Sequence, residues 1–495
     1  MKRAILFLLL ALLFFVNCKE DKENTETNIE TELKSDTSAI STKDFREFKV
    51  LDSKFIKNEM LWKDFNNELA DFSEAIYNSI KPLVLEQNIP TIQKHIRSGE
   101  LTYEELVKFY LYRIKRFDRE NDFSLNSVIS INPRAIQLAR IADVEAKAPG
   151  ERHPIFGMPI LLKDNINAKN MSTTAGAVAL LNNETDDAFV VEKLKENGAI
   201  ILGKANLSEW AYFFCGECPS GYSAVGGQTL NPYGRRIIDT GGSSSGSGVS
   251  VAANFCVAAI GSETAGSILS PASQNSVVGI KPTIGLLSRT GIVPISSTLD
   301  TSGPITKNVT DNAIVLDAML GYDSKDSKSI ETRWSTGYYL NNFNKEDLKE
   351  KRFGVYKRLL EDSLYTRAIA VLKSKGATIV ELEEPKVDLP EFIRLLNLDM
   401  KKDLPHYLSG FTNANIEVRS VKDIMEYNSK DSLLRAPYGQ ALFKGVHEDK
   451  STDKEFETIK NVLKTNGRQF FDEAIKANKL DGFYQLITIT LRLLR

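Results

Sequence analysis

Serines and glycines alternate in Gly241-Gly242-Ser243-Ser244-Ser245-Gly246-Ser247-Gly248, and Ser267 follows in Gly261-Ser262-Glu263-Thr264-Ala265-Gly266-Ser267. A flexible linker has this composition, but the run is not placed like one. It follows a polar turn at residues 231–236 and leads into the small apolar segment 249–260, which suits a buried helix and then a buried strand. Glycine is needed where backbone closely approaches backbone or where φ is positive. Serines set among such glycines inside a core are hydroxyls on a rigid frame, as a nucleophile requires. Lys163 is the second residue of interest, because it closes the apolar run 160–162. Burial disfavours an ammonium and lowers its pKa. From spacing alone the plainer reading is a strand-end lysine that reaches out to water. The chemical reading is a base. The chain has only four histidines, His95, His153, His406 and His447, and none lies near the serine runs in sequence. If Ser267 is a nucleophile, a lysine is therefore a natural candidate to activate it.

The elements that must hold these groups alternate in type. Thr102-Tyr103-Glu104-Glu105 is a capping box, and apolar residues recurring at 106, 107, 110, 111 and 114 predict an amphipathic helix to about Phe117. Residues 126–132 read as a short strand and 133–147 as a helix. A buried strand at 160–162 delivers Lys163, and a helix at 189–197 precedes a strand at 199–204. Strands alternating with helices predict an α/β fold around a mostly parallel or mixed sheet.

The chain has 495 residues, 42% of them hydrophobic, which is enough for a large core; a net charge of −2 gives no reason to expect nucleic acid as a partner. Lys2 and Arg3 precede an apolar run over 4–16, too short for a membrane helix, which reads as a signal peptide over residues 1–17. It ends at Phe15-Val16-Asn17-Cys18, similar to a bacterial lipobox, so Cys18 is expected to carry a lipid and tether the protein to the cell envelope. Residues 18–45 are acidic and nearly devoid of apolar side chains, a solvated tether. The remaining domain spans 46–495, with folded structure starting between residues 45 and 85.

Five blocks, in order and at suitable spacing, resemble the amidase signature family: 157–166, 203–210, 221–233, 241–248 and 261–282. A sixth, 288–294 with 300–304, extends the resemblance, which runs from near residue 85 to about 480 and weakens after 325. The family fold implied is a central mixed β-sheet covered by helices on both faces, with a helical excursion in the C-terminal half, at about residues 348–477, shaping the substrate mouth. The resemblance also implies a triad of Ser267 as nucleophile, Ser243 as bridging serine after a cis peptide, and Lys163 as general base. Thr264, Ala265, Gly266 and Ser267 would supply oxyanion-hole amides, and Ser244 a supporting hydrogen bond. No metal or organic cofactor is implied. The 243–248 run, residues 173–176 and residues 397–408 look most like the peptide-amidase-like branch, which hydrolyses carboxamides. The runner-up is the amidase subunit that transamidates misacylated tRNA.

Departures from the family pattern carry their own expectations. Leu269 stands where an arginine is frequent, which argues against an anionic substrate held at that point. Ala265 replaces glycine or aspartate, tolerable at negative φ and strained otherwise. The ending at 483–495 does not look like the family's closing strands and reads as a truncation, so an inactive amidase relic is the contrasting hypothesis. Cys215-Gly216-Glu217-Cys218 has no second Cys/His pair to complete a zinc site, which leaves a local disulfide or two free thiols as the favoured readings. Cys256 is expected in the core.

Overall fold

The computed structural model describes residues 48–119, 122–331, 337–340 and 348–486. The expected signal peptide, the Cys18 anchor and the acidic tether lie outside the described residues, as does the tail from 487.

Eleven strands form three sheets among the described residues. In chain order they are β1 (Val128–Ile131), β2 (Pro159–Lys163), β3 (Ile200–Ala205), β4 (Tyr222–Ser223), β5 (Gly227–Gln228), β6 (Ala258–Glu263), β7 (Val278–Gly279), β8 (Thr301–Thr306), β9 (Arg352–Tyr356), β10 (Thr378–Leu382) and β11 (Gly482–Tyr484). The central sheet has the order β1-β3-β2-β6-β8-β7. β2 runs parallel to both neighbours, while β1, β8 and β7 pair antiparallel, so the sheet is mixed. Every residue of β2, β3, β6 and β8 is buried. Helices on both faces bring this about: Ser245–Ala252 packs on β2, β3, β6 and β8, Val309–Ala318 on β6, β7 and β8, and Ala135–Glu145 on β3. Strands covered on both faces read as continuous apolar runs, which is why 160–162 and 200–202 were recognisable.

Local chemistry sets the flanking helices. Tyr103–Phe117 starts at the expected capping box, with Thr102 and Glu105 each bonding the other's backbone amide, and its apolar face is buried against Ala135–Glu145. Cys256 lies in the core.

The C-terminal half differs from a purely helical excursion. Residues 352–382 form a β-α-β unit, β9 and β10 pairing in parallel around the helix Ser363–Ser374. β11 adds a parallel strand on the other side of β9, with Gly482 opposite Phe353. Helices dominate only from Phe392, and the first of them, Phe392–Gly410, lines the cleft described below. Among the described residues no helix is long and apolar enough to cross a membrane.

Candidate active site

The parallel strands β2 and β6 lie side by side, Leu162 in register with Ile260, so their carboxyl ends deliver Lys163 and Ser262 to one place. Ligands of α/β sheets gather at the carboxyl ends of strands. The serine-glycine run enters the helix Ser245–Ala252 directly above. Two of its glycines are dictated by space. Gly241 has φ +64°, and a Cβ there would sit 2.7 Å from Pro271 N; a Cβ on Gly246 would sit 2.4 Å from Asn206 O. Gly242–Ser243 is a cis peptide, as the family resemblance implies.

Lys163 does not reach water. It is fully buried, contrary to the strand-end reading, because the serine-glycine loop at Ser243 and the β6 end at Ser262 close over its amine. Its Nζ lies 2.7 Å from Ser243 Oγ, 2.9 Å from Ser262 Oγ and 3.1 Å from Ser262 O. Burial pulls the Lys163 amine down to about 7 from 10.5, against the opposing pull of Asp300 and Glu263. The other buried lysine of the region, Lys204, has a carboxylate partner in Asp164 at 3.2 Å. Lys163 has none within ion-pair distance among the described residues. Its Nζ donates in all three contacts, and loss of one proton would free a lone pair towards the Ser243 hydroxyl. Asn165 Nδ2 donates to the same Ser262 Oγ at 2.9 Å and steadies it.

Ser267 follows β6, one residue before the cap of the short helix Leu269–Gln274, and is 8% exposed. Its carbonyl accepts from Ser244 N at 3.1 Å, which ties it to the residue after Ser243. Its hydroxyl makes no hydrogen bond among the described residues, so the structure brings Lys163 and Ser243 into contact but does not close the contact from Ser243 to Ser267 that the resemblance implies. The amides of Ala265, Gly266 and Ser267 also donate to nothing among the described residues. The left-handed position falls on Gly266, φ +92°, and not on Ala265, so the alanine is unstrained. Ser244 Oγ lies 3.2 Å from Ser262 O, the expected supporting contact.

Several residues that hold this loop are beyond what sequence spacing revealed. Glu263 accepts from the amides of Ile268 and Leu269 at 2.7 and 3.0 Å. Lys281 donates to Thr264 O at 2.6 Å, and Asp300 accepts from Thr264 Oγ1 and from the amides of Ile295 and Ser296. These contacts brace the loop that carries Ser267 from both sides.

A cleft of about 320 Å³ opens beside Asn165, Ser262 and Thr264. The loop after Arg289 forms one wall; Asp403, His406 and Tyr407 of Phe392–Gly410 form another. Tyr407 OH reaches Asn167 Oδ1 at 2.6 Å and locks that helix to the β2 end of the sheet. Ala211 lines the cleft from a turn in which Trp210, Ala211 and Tyr212 all have positive φ. Three residues further on, Cys215 and Cys218 are disulfide-bonded, which settles the CxxC alternatives in favour of a local staple.

The architecture has close relatives. The Amidase family pattern matches residues 105–473. A probable amidase of Arabidopsis thaliana is 38% identical over 419 residues, covering 81% of this chain and 80% of the relative. An amidase family protein from Bacillus anthracis superposes with a TM-score of 0.81 at 35% identity, covering 88% of this chain and 87% of that one. The peptide amidase of Stenotrophomonas maltophilia gives a TM-score of 0.76 at 37% identity, covering 81% and 83%. With the match spanning both the sheet and the serine-lysine cluster at its carboxyl edge, the chain belongs to the amidase family of amide-hydrolysing enzymes.

Proposed function

We propose that this protein hydrolyses a carboxamide through an acyl-enzyme on Ser267, with Ser243 bridging to a neutral Lys163. The observation that carries this reading is the buried Lys163 amine, 2.7 Å from Ser243 Oγ and without a carboxylate partner. A charged lysine there has no lone pair for Ser243; a neutral one is a base with a single place to put a proton.

The steps follow from that placement. Lys163 takes the proton of Ser243 as Ser243 takes that of Ser267, and Ser267 Oγ bonds to the amide carbon. The carbonyl π pair moves onto oxygen, where the amides of Ala265, Gly266 and Ser267 receive it, with Thr264 at the edge of the same turn. Preorganised donors of this kind contribute about 3 kcal/mol each to the transition state. As the carbon–nitrogen bond breaks, the relay runs backwards and the ammonium of Lys163 returns its proton, through Ser243, to the departing amine. Water then enters by the same relay and releases the carboxylate. Every proton moves between Lys163, Ser243, Ser267, the departing amine and water.

A peptide amide is the substrate class the reading favours, supported by the likeness to the Stenotrophomonas maltophilia peptide amidase over most of both chains. Ammonia release from a panel of peptide, aryl and short aliphatic amides, measured for wild type and Ser267→Ala, tests the proposal. Release that vanishes in the variant supports it; release that persists refutes it. We also propose that Cys18 is lipidated and holds the domain at the envelope, on the strength of the apolar run ending in Phe15-Val16-Asn17-Cys18. Incorporation of labelled palmitate by wild type but not by Cys18→Ser tests that.

A further inference from the structure

The cleft is acidic, and one of its carboxylates makes no ion pair among the described residues. Asp300 is occupied by Thr264 and two backbone amides, and Asp399 by the hydroxyls of Ser296 and Thr298. Asp403, half-buried on the cleft wall, accepts from the Ser297 amide at 2.6 Å and makes no ion pair among the described residues. The cations near it are Arg289, His406 and, at the rim, exposed Lys325. Arg289 is spent: its Nε and Nη2 both bond Asp326, and Nη1 bonds Ser297 O. Burial, with Asp399 and Asp300 nearby, pushes the Asp403 carboxyl up to about 6, so it is largely ionised at neutral pH. An ionised, half-buried carboxylate with hydrogen bonds but no ion-pair partner carries a desolvation cost that a bound cation offsets.

A second observation points to a ligand in the same place. Asn165 is 2% exposed and lines the cleft. Its Nδ2 is used by Ser262 Oγ and by Val293 O at 3.3 Å, whereas its Oδ1 has no partner. Buried acceptors are almost always satisfied. This one, one contact from Lys163 and beside the cleft, is an acceptor that the described residues leave unfilled.

We infer that the cleft selects positively charged amides, Asn165 Oδ1 accepting an N–H of the bound molecule and Asp403 facing its cationic group. The substrate class is a basic amino-acid or peptide amide. The inference rests on the amidase reading of Lys163, Ser243 and Ser267, and names the substrate of that site. It also fits the absence of an arginine at Leu269, beside the nucleophile.

Binding to Ser267→Ala separates this from turnover. Affinities for Nα-acetyl-lysine amide and Nα-acetyl-norleucine amide, measured by calorimetry, compare nearly isosteric ligands that differ by one charge. The lysine amide is expected to bind about tenfold tighter, equivalent to about 1.4 kcal/mol. Adding Asp403→Asn, which keeps an acceptor for the Ser297 amide, should bring the ratio to about one. Raising the salt should shrink it in Ser267→Ala alone, a readout that stands even if the double variant does not fold. Equal affinities, tighter norleucine amide, no detectable binding of the lysine amide, or a ratio that survives both perturbations overturns the inference. Turnover of the norleucine amide by wild type reports separately on the amidase reading.

Discussion

Replacing Lys163 by methionine should abolish activity and yet stabilise the fold at neutral pH, by an amount that shrinks as pH rises. The amine titrates at about 7 in the folded protein and near 10.5 unfolded. A lowered lysine pKa means that the unfolded chain binds more protons between those values, so wild-type stability rises with pH across this window. Above 10.5 both states are neutral and this penalty is absent; below 7 it is fully present. At pH 7 the wild type carries a penalty of about 4 kcal/mol, from roughly three pKa units at 1.36 kcal/mol each. At pH 9 it falls to about 2 kcal/mol by the same arithmetic. Methionine fills similar space and has no proton to lose, but it surrenders the contacts to Ser262 and Ser243, worth about 1 kcal/mol apiece. Those losses are nearly independent of pH, so the difference between the two proteins isolates the titration. Denaturant melts of wild type and Lys163→Met at pH 7 and 9 should show their stability difference moving by about 2 kcal/mol towards the wild type. A difference that does not change with pH would mean that Lys163 is not neutral in the folded protein, and the base assignment would fall with it.

Further outcomes follow from the same geometry. The neutral amine is the active form, so kcat/KM on a neutral amide should rise with pH through about 7 and level off above it; a limb starting only near the ordinary lysine range refutes the buried base. Ser243→Ala breaks the relay and should lower kcat by about 10²–10⁴-fold, the usual worth of positioned proton transfer, with little change in KM; a normal kcat would show direct transfer between Ser267 and Lys163. Burial holds the Glu209 carboxyl well above its usual range, and one oxygen accepts from Ala224 N while the other has no partner. Glu209→Gln should therefore leave the melting free energy at pH 7 within about 1 kcal/mol of wild type. A larger loss would mean that the carboxylate is charged.

Much of the frame was legible because its strands are buried on both faces. The apolar runs ending at Lys163 and Lys204 announced β2 and β3, and the capping box placed the start of Tyr103–Phe117. The triad candidates were visible through motif resemblance, and the structure gathers Lys163 and Ser243 at 2.7 Å. What spacing could not show is enclosure. Lys163 looked like a lysine that escapes to water because nothing in 157–166 says that Ser243 and Ser262, 80 and 99 positions on, will close over its amine. Asn165 and Ser262 sat inside recognised blocks, but their shared hydrogen bond exists only across the pairing of β2 with β6. Asp403 and Tyr407 come from a helix about 240 positions along the chain from β2, with Tyr407 OH closing on Asn167. Such contacts leave no periodic trace. The β-α-β unit at 352–382 was missed for a different reason: no residue of β10 is fully buried, so it lacks the apolar signature of the central strands.

The most direct test is to catch the acyl group on its residue. Wild type mixed with a slow ester or anilide substrate and quenched in acid should yield a peptide containing Ser267 heavier by the acyl mass, absent from Ser267→Ala and slow to form in Lys163→Met. Turnover without an adduct at Ser267, or an adduct on another residue, would contradict the account.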